Sequence, residues 1–164
     1  MHNEIERKFL FKGNIRDFVE IIFGSTAINI EDYYFNEHTR YRWIDDKCWV
    51  GIKGEGTLNR TEEENMLAVA PTKEDYAPRL IKRRHKVSFC GHTFEINVYK
   101  DFDFVVVEVE LENINEEVIL PPWCGEEVTY NLNYYNYNLW GKLNKRYGRY
   151  STISKNSENK QFNE

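Results

Sequence analysis

The sequence is poor in cysteine and lacks long hydrophobic runs, and each absence argues against a class of protein. Its three cysteines, Cys48, Cys90 and Cys124, are far apart, and no Cys-x-x-Cys spacing accompanies them. This pattern argues against a zinc site or a disulfide framework and favours reduced thiols in a cytoplasmic protein. The N-terminus has no signal-peptide pattern, and no apolar run approaches the ~18 residues of a membrane-spanning helix, so we expect no membrane partner.

Motifs of several common enzyme classes are also missing. No Gly-x-Ser-x-Gly occurs, which argues against a serine hydrolase. The stretch 51–57 is rich in glycine, but it lacks the Gly-Lys-Ser/Thr ending of a phosphate-binding loop, so a hairpin turn at Gly54-Glu55-Gly56 is the better interpretation. The histidines have no mutual ligand spacing and are expected at the surface or in turns. They are His2, His38, His85 and His92.

A surplus of positive charge is absent as well. The chain has 22 Lys and Arg against 27 Asp and Glu, which gives a formal net charge of -5 at pH 7. Bulk electrostatics therefore give no reason to expect a nucleic-acid partner. Net charge says little, however, about a basic patch inside a pocket.

The composition is globular and rich in aromatic residues. Of the 164 residues, 41% are hydrophobic and 30% are charged, and the chain holds 11 Tyr and 10 Phe. A chain of this length is expected to form one domain with a real core, and its aromatic content favours β structure. We place the domain at residues 1–150. Residues 151–164 are polar, and we expect a disordered tail there.

A strict alternation of apolar and charged residues opens the chain. Over residues 3–11 the apolar parity holds Ile5, Phe9 and Phe11, and the charged parity holds Glu4, Glu6 and Lys8. Because a strand turns successive side chains to opposite faces, the charged side chains would share one face. Two carboxylates one pleat apart repel each other unless a cation or basic groups lie close to them. A solvated outer face explains any single strand of this kind, but the pattern returns on strand after strand.

The rest of the chain divides into further alternating strands. Turns are predicted near residues 36–37, 45–46, 54–56 and 90–92. A short helix is expected over about residues 15–22, ending at Gly24, and a closing helix over about residues 134–147. Pro121-Pro122 is expected to end the β structure. Successive hairpins at this spacing imply a mostly β (α+β) fold with one antiparallel sheet of about eight strands.

One parity of these strands gathers both signs of charge. Its basic members are Lys8, Arg40, Arg42, Lys53, Arg60, Lys82 and Arg84, and its acidic members are Glu4, Glu6, Glu62, Glu64, Glu108 and Glu110. If the sheet curls into a barrel, all of these side chains point into one lumen. Oxygen ligands hold Mg²⁺ or Mn²⁺, while Arg and Lys bind phosphate oxygens. Such a lumen suits a polyanion that carries a divalent cation.

The same strands contain an ordered set of motifs. They are Glu4-Ile5-Glu6-Arg7-Lys8-Phe9-Leu10, Thr39-Arg40-Tyr41-Arg42, Ile52-Lys53-Gly54, Arg60-Thr61-Glu62-Glu63-Glu64, Leu80-Ile81-Lys82-Arg83-Arg84, Val107-Glu108-Val109-Glu110-Leu111 and Leu120-Pro121-Pro122-Trp123-Cys124-Gly125-Glu126-Glu127-Val128-Thr129. Over residues 4–139 this set resembles the CYTH proteins, also called triphosphate tunnel metalloenzymes. The resemblance is greatest to the small bacterial members that hydrolyse inorganic tripolyphosphate.

The resemblance implies a fold, a reaction and a set of site residues. The implied fold is a closed eight-stranded antiparallel β-tunnel with a few helices packed outside, and the implied reaction is metal-dependent hydrolysis of tripolyphosphate to diphosphate and phosphate. Phosphate oxygens would be bound by Lys8, Arg40, Arg42, Lys53, Arg60, Lys82 and Arg84. Mg²⁺ or Mn²⁺ would be held, directly or through water, by Glu4, Glu6, Glu62, Glu64, Glu108 and Glu110. Those expected to act most directly in catalysis are Glu4, Lys8, Arg60, Glu62 and Glu64.

One position departs from the family pattern, and several alternatives stay open. Family members usually carry a metal-binding aspartate where this chain has Asn97, so a second metal could be absent. The tunnel could then bind a triphosphate or polyphosphate without hydrolysing it. The same scaffold also serves nucleotide and thiamine triphosphate hydrolases and class IV-type adenylyl cyclases, and Trp49 and Tyr99 share the inward parity and could stack on a ring. A further alternative is a β-barrel whose charged face is solvated and binds no ligand. We expect a monomer or homodimer.

Overall fold

The computed structural model describes residues 2–148, and most of its regular structure is β-strand. The strands are β1 (His2–Phe11), β2 (Thr26–Tyr34), β3 (Thr39–Ile44), β4 (Lys47–Lys53), β5 (Asn59–Met66), β6 (Leu80–Phe89), β7 (His92–Tyr99), β8 (Val105–Leu111) and β9 (Cys124–Glu127). The helical segments are α1 (Val19–Gly24), α2 over residues 136–148, and 3-10 turns at Ile15–Asp17, Lys73–Asp75 and Leu132–Tyr134. The predicted domain end at residue 150 and the predicted disordered tail at 151–164 lie outside the described residues.

Within the described part of the chain, eight strands close into an antiparallel ring. Their order is β5-β4-β3-β2-β6-β7-β8-β1, and β1 returns to pair with β5. The closing register sets His2 opposite Glu62 and Glu4 opposite Arg60. The predicted closed eight-stranded antiparallel tunnel is therefore confirmed, and ring closure leaves none of these eight strands as a free edge along the barrel.

The ninth strand, β9, is an addition that the sequence did not predict. One edge of β1 pairs with β8, and the other edge is shared by β5 near the start of β1 and by β9 near its end. Arg7 donates two hydrogen bonds, of 3.0 and 2.7 Å, to the carboxylate of Glu127 on β9. The expectation that Pro121-Pro122 ends the β structure is wrong, because pairing with β1 holds a further four-residue strand beyond the prolines.

The outward face of the tunnel is apolar and covered. The outward side chains of β1, β7 and β8 form one core with the inner side of α1 and with Trp123. Its buried members are Ile5, Phe9, Ile21, Phe94, Ile96, Val107, Val109, Leu111 and Trp123. Because this parity is buried on the outside, the charged parity of the same strands must face the lumen.

A second core fills one end of the tunnel. The inward side chains Tyr34, Leu80, Tyr99 and Val106 pack there against α2, which contributes Leu139, Trp140 and Leu143. The predicted closing helix is thus present and begins at residue 136, after the 3-10 turn at Leu132–Tyr134. The helix expected over 15–22 is divided into the 3-10 turn Ile15–Asp17 and α1, and its predicted end at Gly24 is confirmed.

The glycine-rich stretch forms the turn between β4 and β5, as expected. Gly56 has a φ of +119°, and a Cβ at this position would overlap the carbonyl oxygen of Asn59. Glycine is therefore required for this turn. No helix follows the turn before β5 begins at Asn59, so the stretch is not a phosphate-binding loop.

One of the predicted surface histidines, His85, is buried. His85 is only 3% exposed and its Nδ1 lies 2.9 Å from Ser25 Oγ, so the expectation that it lies at the surface or in a turn is wrong. The side chain belongs to the outward parity of β6 and is covered by the residues that lead from α1 into β2.

Within residues 2–148, no helix has the length and apolar character needed to cross a membrane.

Candidate active site

The inner wall of the tunnel carries all seven predicted basic residues. Lys8, Arg40, Arg42 and Lys82 are between 1% and 7% exposed. The side chains of Lys53, Arg60 and Arg84 are between 11% and 17% exposed. Buried cations are costly unless anions pair with them, so this wall requires negative charge from the protein or from a ligand.

Three carboxylates meet at one point of the wall. Oxygen atoms of Glu6, Glu95 and Glu108 all lie within 4.8 Å of one another. They come from β1, β7 and β8, and the register of the last two strands sets Glu95 directly opposite Glu108. We call this group the carboxylate triangle. Glu95 was not among the predicted metal ligands, although it lies on the inward parity two residues before Asn97.

The carboxylate triangle lacks enough positive charge to ionise all its members. Burial, and then the nearby charge of Glu108, raises the pKa of Glu6 to about 8. Burial would also raise the pKa of Glu108, but Lys8, Lys82 and Arg84 hold it well below its ordinary value. Glu108 Oε1 is buried and has no hydrogen-bond partner among the described residues. The group therefore has an ionised carboxylate, Glu108, and a buried oxygen atom without a hydrogen bond that a divalent cation would use.

Two of the predicted acids surround a lysine instead. Lys53 Nζ lies 2.9 Å from Glu4 Oε2 and 3.8 Å from Glu62 Oε1. Arg60 Nε lies 3.8 Å from the same oxygen of Glu4. Burial alone would raise the pKa of Glu4, but Lys53 and Arg60 lower it to about 2. Glu4 is therefore ionised at neutral pH and pairs with two basic side chains.

The remaining predicted acids are not members of the carboxylate triangle, although the register of β1 and β8 sets Glu110 opposite Glu6. Glu64 Oε2 is 3.7 Å from Arg40 Nη2, and the side chain of Glu64 is 31% exposed. Glu110 is exposed and borders an opening beside the turn between β6 and β7. The structure thus brings together only Glu6 and Glu108 of the six predicted acids and adds Glu95 to them.

Lys82 is the basic side chain of the wall that most clearly lacks a partner. It is 1% exposed, and its Nζ has no hydrogen-bond partner among the described residues. Nζ lies 5.9 Å from the centroid of the Tyr99 ring. Burial, together with Arg84 and Arg42, lowers the pKa of Lys82 well below its ordinary value. An anion in the lumen would favour the charged ammonium form.

Arg42 already has an anionic partner that the sequence analysis missed. Asp32 is 0% exposed, and its two carboxylate oxygens accept hydrogen bonds from Nε and Nη2 of Arg42, each at 2.8 Å. Burial would raise the pKa of Asp32, but Arg42 and Arg40 hold it well below its ordinary value. A signal was present in the sequence, because Asp32 lies on the inward parity of β2 and the hairpin register sets it opposite Arg42.

Asn97 also lies on the inner wall, beside Arg84. It is 0% exposed, and its Oδ1 accepts a hydrogen bond of 2.9 Å from Arg84 Nε. The same guanidinium reaches the carboxylate triangle, with Nη1 3.0 Å from Glu95 Oε2 and Nη2 3.6 Å from Glu108 Oε2. Arg84 therefore connects Asn97 with two members of the carboxylate triangle.

Two openings lead to the wall. The first, of about 330 Å³, lies between the turns after β2 and β4 and the start of α2, and its lining includes Arg40, Lys53 and Arg60. Tyr135 covers its inner part, with its ring centroid 4.8 Å from Lys8 Nζ. Its rim carries a second group of possible metal ligands, Glu37, His38 and Glu55, of which the two glutamates are exposed.

The second opening is lined mainly by acidic side chains. It has a volume of about 680 Å³ and lies beside the turn between β6 and β7. Apart from Lys86, its charged side chains are acidic or histidine, and they are Glu95, Glu110, Glu112, Glu116 and His92. The tunnel is thus basic toward the first opening and acidic toward the second, and the carboxylate triangle lies on the acidic side through Glu95.

Tyr99 does not offer a stacking surface for an organic ring. It is 4% exposed, and its hydroxyl donates a hydrogen bond of 2.8 Å to Asn136 Oδ1. Its ring belongs to the core that fills one end of the tunnel. Trp49, the second aromatic residue expected to stack on a ring, is half-buried and pairs across β3 and β4 with Arg42.

Comparisons with known proteins agree with this geometry. No family model matches the chain. The inorganic triphosphatase of Acetivibrio thermocellus is 31% identical over 153 residues, which cover 85% of this chain and 94% of that protein. The inorganic triphosphatase of Nitrosomonas europaea is 29% identical over 148 residues, covering 81% and 93%. A crystal structure of the inorganic triphosphatase NE1496 superposes with a TM-score of 0.56 at 25% identity, covering 85% of this chain and 95% of the other.

The sequence motifs, the closed tunnel and these similarities lead to one assignment. The relatives match almost over their full length, so the shared region includes the whole tunnel and not a single motif. The chain belongs to the CYTH family of triphosphate tunnel metalloenzymes, in which its relatives are inorganic triphosphatases.

Proposed function

We propose that this protein hydrolyses inorganic tripolyphosphate to diphosphate and phosphate inside its tunnel. The observation that carries the proposal is Lys82, a buried amine without a hydrogen-bond partner among residues 2–148, in a wall of basic side chains. Tripolyphosphate is a compact anion whose oxygens accept hydrogen bonds from Lys and Arg. The similarity to two inorganic triphosphatases supports the same substrate.

A divalent cation fits the carboxylate triangle. Its three side chains supply only hard oxygen ligands, and Glu108 Oε1 is buried without a hydrogen-bond partner among the residues described. Mg²⁺ and Mn²⁺ prefer such ligands, and we propose that Glu6, Glu95 and Glu108 hold one of these ions. When bound, the ion would neutralise phosphate charge and lower the pKa of a coordinated water.

The side chains next to the carboxylate triangle are suited to hold the phosphoryl group that is transferred. Lys8 Nζ lies 3.6 Å from Glu6 and 3.8 Å from Glu108, and Arg84 contacts Glu95 and Glu108. We assign these two residues to the oxygens of the transferred group. Attack by water in line with the leaving group breaks the terminal P–O–P bond, and nearby cations stabilise the charge that develops.

The basic side chains at the first opening are suited to hold the leaving diphosphate. They are Arg40, Lys53 and Arg60. Glu4 contacts Lys53 and Arg60, and Glu64 contacts Arg40, so we propose that these acids position basic side chains. We propose the same role for Glu62, which is 3.8 Å from Lys53. This proposal changes the sequence-based assignment, in which all three acids were metal ligands.

The experiment that tests the function compares substrates and metals. Purified full-length protein is incubated with tripolyphosphate, ATP or thiamine triphosphate, with Mg²⁺, Mn²⁺ or EDTA, and released phosphate and cyclic AMP are measured. We expect rapid phosphate release from tripolyphosphate with either metal, much slower release from the organic triphosphates, no cyclic AMP and no reaction in EDTA. Binding of tripolyphosphate without release would indicate a binding module, and preference for ATP or thiamine triphosphate would overturn the proposed substrate.

We propose that the protein is a monomer or homodimer in the cytoplasm, without a nucleic-acid partner. Sedimentation velocity, with and without tripolyphosphate, measures the state of assembly. A stable higher oligomer would contradict that part of the proposal without affecting the reaction.

A further inference from the structure

Asn97 occupies a central position in the wall next to the carboxylate triangle. It lies in β7, and the register sets it opposite Arg84 on β6 and Val106 on β8. It is 0% exposed, so every polar atom of its side chain must find its partner within the protein. The hydrogen-bond partners of Asn97 therefore determine its role in the wall. The role that we infer for it rests on the proposed function.

The orientation of the Asn97 amide follows from its partners. Oδ1 accepts from Arg84 Nε at 2.9 Å, and Nδ2 donates to the carbonyl oxygens of Val106 at 3.1 Å and Glu95 at 3.3 Å. Arginine can only donate and a carbonyl oxygen can only accept, so the reverse orientation of the amide would lose all three hydrogen bonds. Both ends of the side chain are thus engaged in holding neighbouring strands and Arg84.

The hydrogen bond from Arg84 Nε to Asn97 fixes the guanidinium, because the Asn97 amide is itself held by the carbonyl oxygens of Val106 and Glu95. With Nε held by Asn97, the terminal nitrogens Nη1 and Nη2 reach Glu95 at 3.0 Å and Glu108 at 3.6 Å. A planar guanidinium that is held at Nε and anchored at both ends keeps one orientation. A phosphate group that enters the lumen meets a preorganised cation, which reduces the entropy lost on binding.

Aspartate at this position could not make the same contacts. One of its two oxygens would face the carbonyl oxygen of Val106, which lies 3.1 Å from Asn97 Nδ2, and two acceptors at that distance repel each other. The other oxygen would attract Arg84 by charge and draw it toward β7, away from Glu108. Asparagine therefore suits this wall for a reason other than metal ligation.

We propose that Asn97 is a positioning residue for Arg84, which it holds in the orientation that binds phosphate, and that aspartate cannot replace it. The neutral amide lets Arg84 keep its charge for the ligand and for Glu95 and Glu108. The departure from the family pattern is then a local change of hydrogen bonding and leaves the binding of tripolyphosphate intact.

A double-mutant cycle tests this proposal without requiring turnover. Binding of tripolyphosphate in EDTA is measured by titration calorimetry for wild type, Asn97→Ser, Arg84→Ala and the double variant. We expect Asn97→Ser to weaken binding roughly tenfold, as for loss of a hydrogen bond to a charged group, and to have almost no further effect once Arg84 is absent. Losses that add in the double variant overturn the proposal.

Two controls separate this role from a general loss of stability. Ile21→Val truncates a side chain that is 2% exposed in the outer core, and it should lower the melting temperature without changing the affinity for tripolyphosphate. The ¹⁵N–¹H signal of Arg84 Nε reports the hydrogen bond directly. It should be protected from solvent exchange in wild type and lose that protection in Asn97→Ser, and equal protection in both proteins overturns the proposal.

Asn97→Asp distinguishes the positioning role from a lost metal ligand. We expect weaker tripolyphosphate binding in EDTA and no decrease in the Mg²⁺ concentration for half-maximal activity. A lower Mg²⁺ requirement with higher activity would instead identify position 97 as a metal-ligand position and overturn the proposal. A wild-type protein that binds tripolyphosphate without hydrolysing it refutes the proposed function but not this inference, whereas absence of binding refutes both.

Discussion

Arg42 and Asp32 form a bidentate ion pair inside the tunnel. Nε of Arg42 lies 2.8 Å from Oδ1 of Asp32, and Nη2 lies 2.8 Å from Oδ2. Both residues are buried and lie opposite each other on β2 and β3. A side chain that the family resemblance assigns to phosphate is therefore already paired with a carboxylate of the protein. The pair stiffens the wall near Lys82 and adds no net charge to it.

Loss of the Asp32 charge should destabilise the fold. Asp32→Asn should lower the free energy of unfolding by about 3 kcal/mol, because it leaves the buried Arg42 without its anion. Added tripolyphosphate should recover part of this loss, since the ligand supplies a new anion to the folded state. Urea unfolding measures both effects. Glu31→Gln is the control, because Glu31 pairs with Lys73 and Arg79 nearer the surface. A loss for Asp32→Asn no larger than that of the control would show that the buried pair does not stabilise the fold.

Lys82 should reduce the stability of the free protein while it supports binding. Lys82→Met replaces a buried amine that lacks a hydrogen-bond partner among the described residues with an apolar side chain of similar length. We expect the melting temperature of the free protein to rise, because an unpaired polar group is removed from the interior. The affinity for tripolyphosphate should fall by at least roughly tenfold. A lower melting temperature together with unchanged affinity would show that Lys82 has a structural role only.

Glu95 should matter more for metal than Glu110 does. Glu95 belongs to the carboxylate triangle, whereas Glu110 is exposed at the rim of the second opening. Glu95→Gln should raise the Mg²⁺ concentration for half-maximal activity by roughly tenfold or more, and Glu110→Gln should change it little. Activity measured across a Mg²⁺ titration gives both values. The opposite order would restore the sequence-based assignment of Glu110 as a metal ligand.

His85 should make stability depend on pH. Burial, helped by the charge of Arg83, lowers the pKa of His85 in the folded protein below its ordinary value of 6.5. Between these two pKa values the unfolded chain binds more protons, so the free energy of unfolding falls as the pH drops below about 6.5. Replacement by Gln removes the titrating group and keeps a polar side chain near Ser25.

Urea unfolding at about pH 7.5 and about pH 5.5 measures this effect. Wild type should lose more stability between the two conditions than His85→Gln does. Other groups of the chain titrate equally in the two proteins, so the difference between them isolates His85. An identical loss in wild type and variant would contradict the assigned pKa direction.

The alternation of residue types was enough to predict most of the tunnel. Ile5 and Phe9 alternate with Glu6 and Lys8, and the structure places the first pair in the outer core and the second pair on the inner wall. The strand β9 was missed because four residues after Pro121-Pro122 carry no periodic signal of their own. Their extended backbone depends on pairing with β1, which is distant in sequence.

The site was harder to predict than the fold, because it depends on neighbours across strands. Glu95 is the only acidic residue of its strand, so the Glu-x-Glu pattern did not predict it as a metal ligand. The register nevertheless sets it opposite Glu108. Asp32 was missed for the same reason, because its role as an ion-pair partner depends on Arg42 in the neighbouring strand. Glu110 fits the Glu-x-Glu pattern but lies at the rim, because the stagger of the barrel carries that end of β8 out of the lumen.

Hydrolysis of tripolyphosphate by the buried basic wall of the tunnel can be followed by ³¹P NMR. Tripolyphosphate and Mg²⁺ are mixed with wild type or with Lys82→Met, and the phosphorus signals are followed over time. We expect wild type to convert tripolyphosphate into equal amounts of diphosphate and phosphate, and Lys82→Met to react far more slowly. Stable tripolyphosphate signals with the wild-type protein, or equal rates for the two proteins, would show that the buried basic wall does not carry out this hydrolysis.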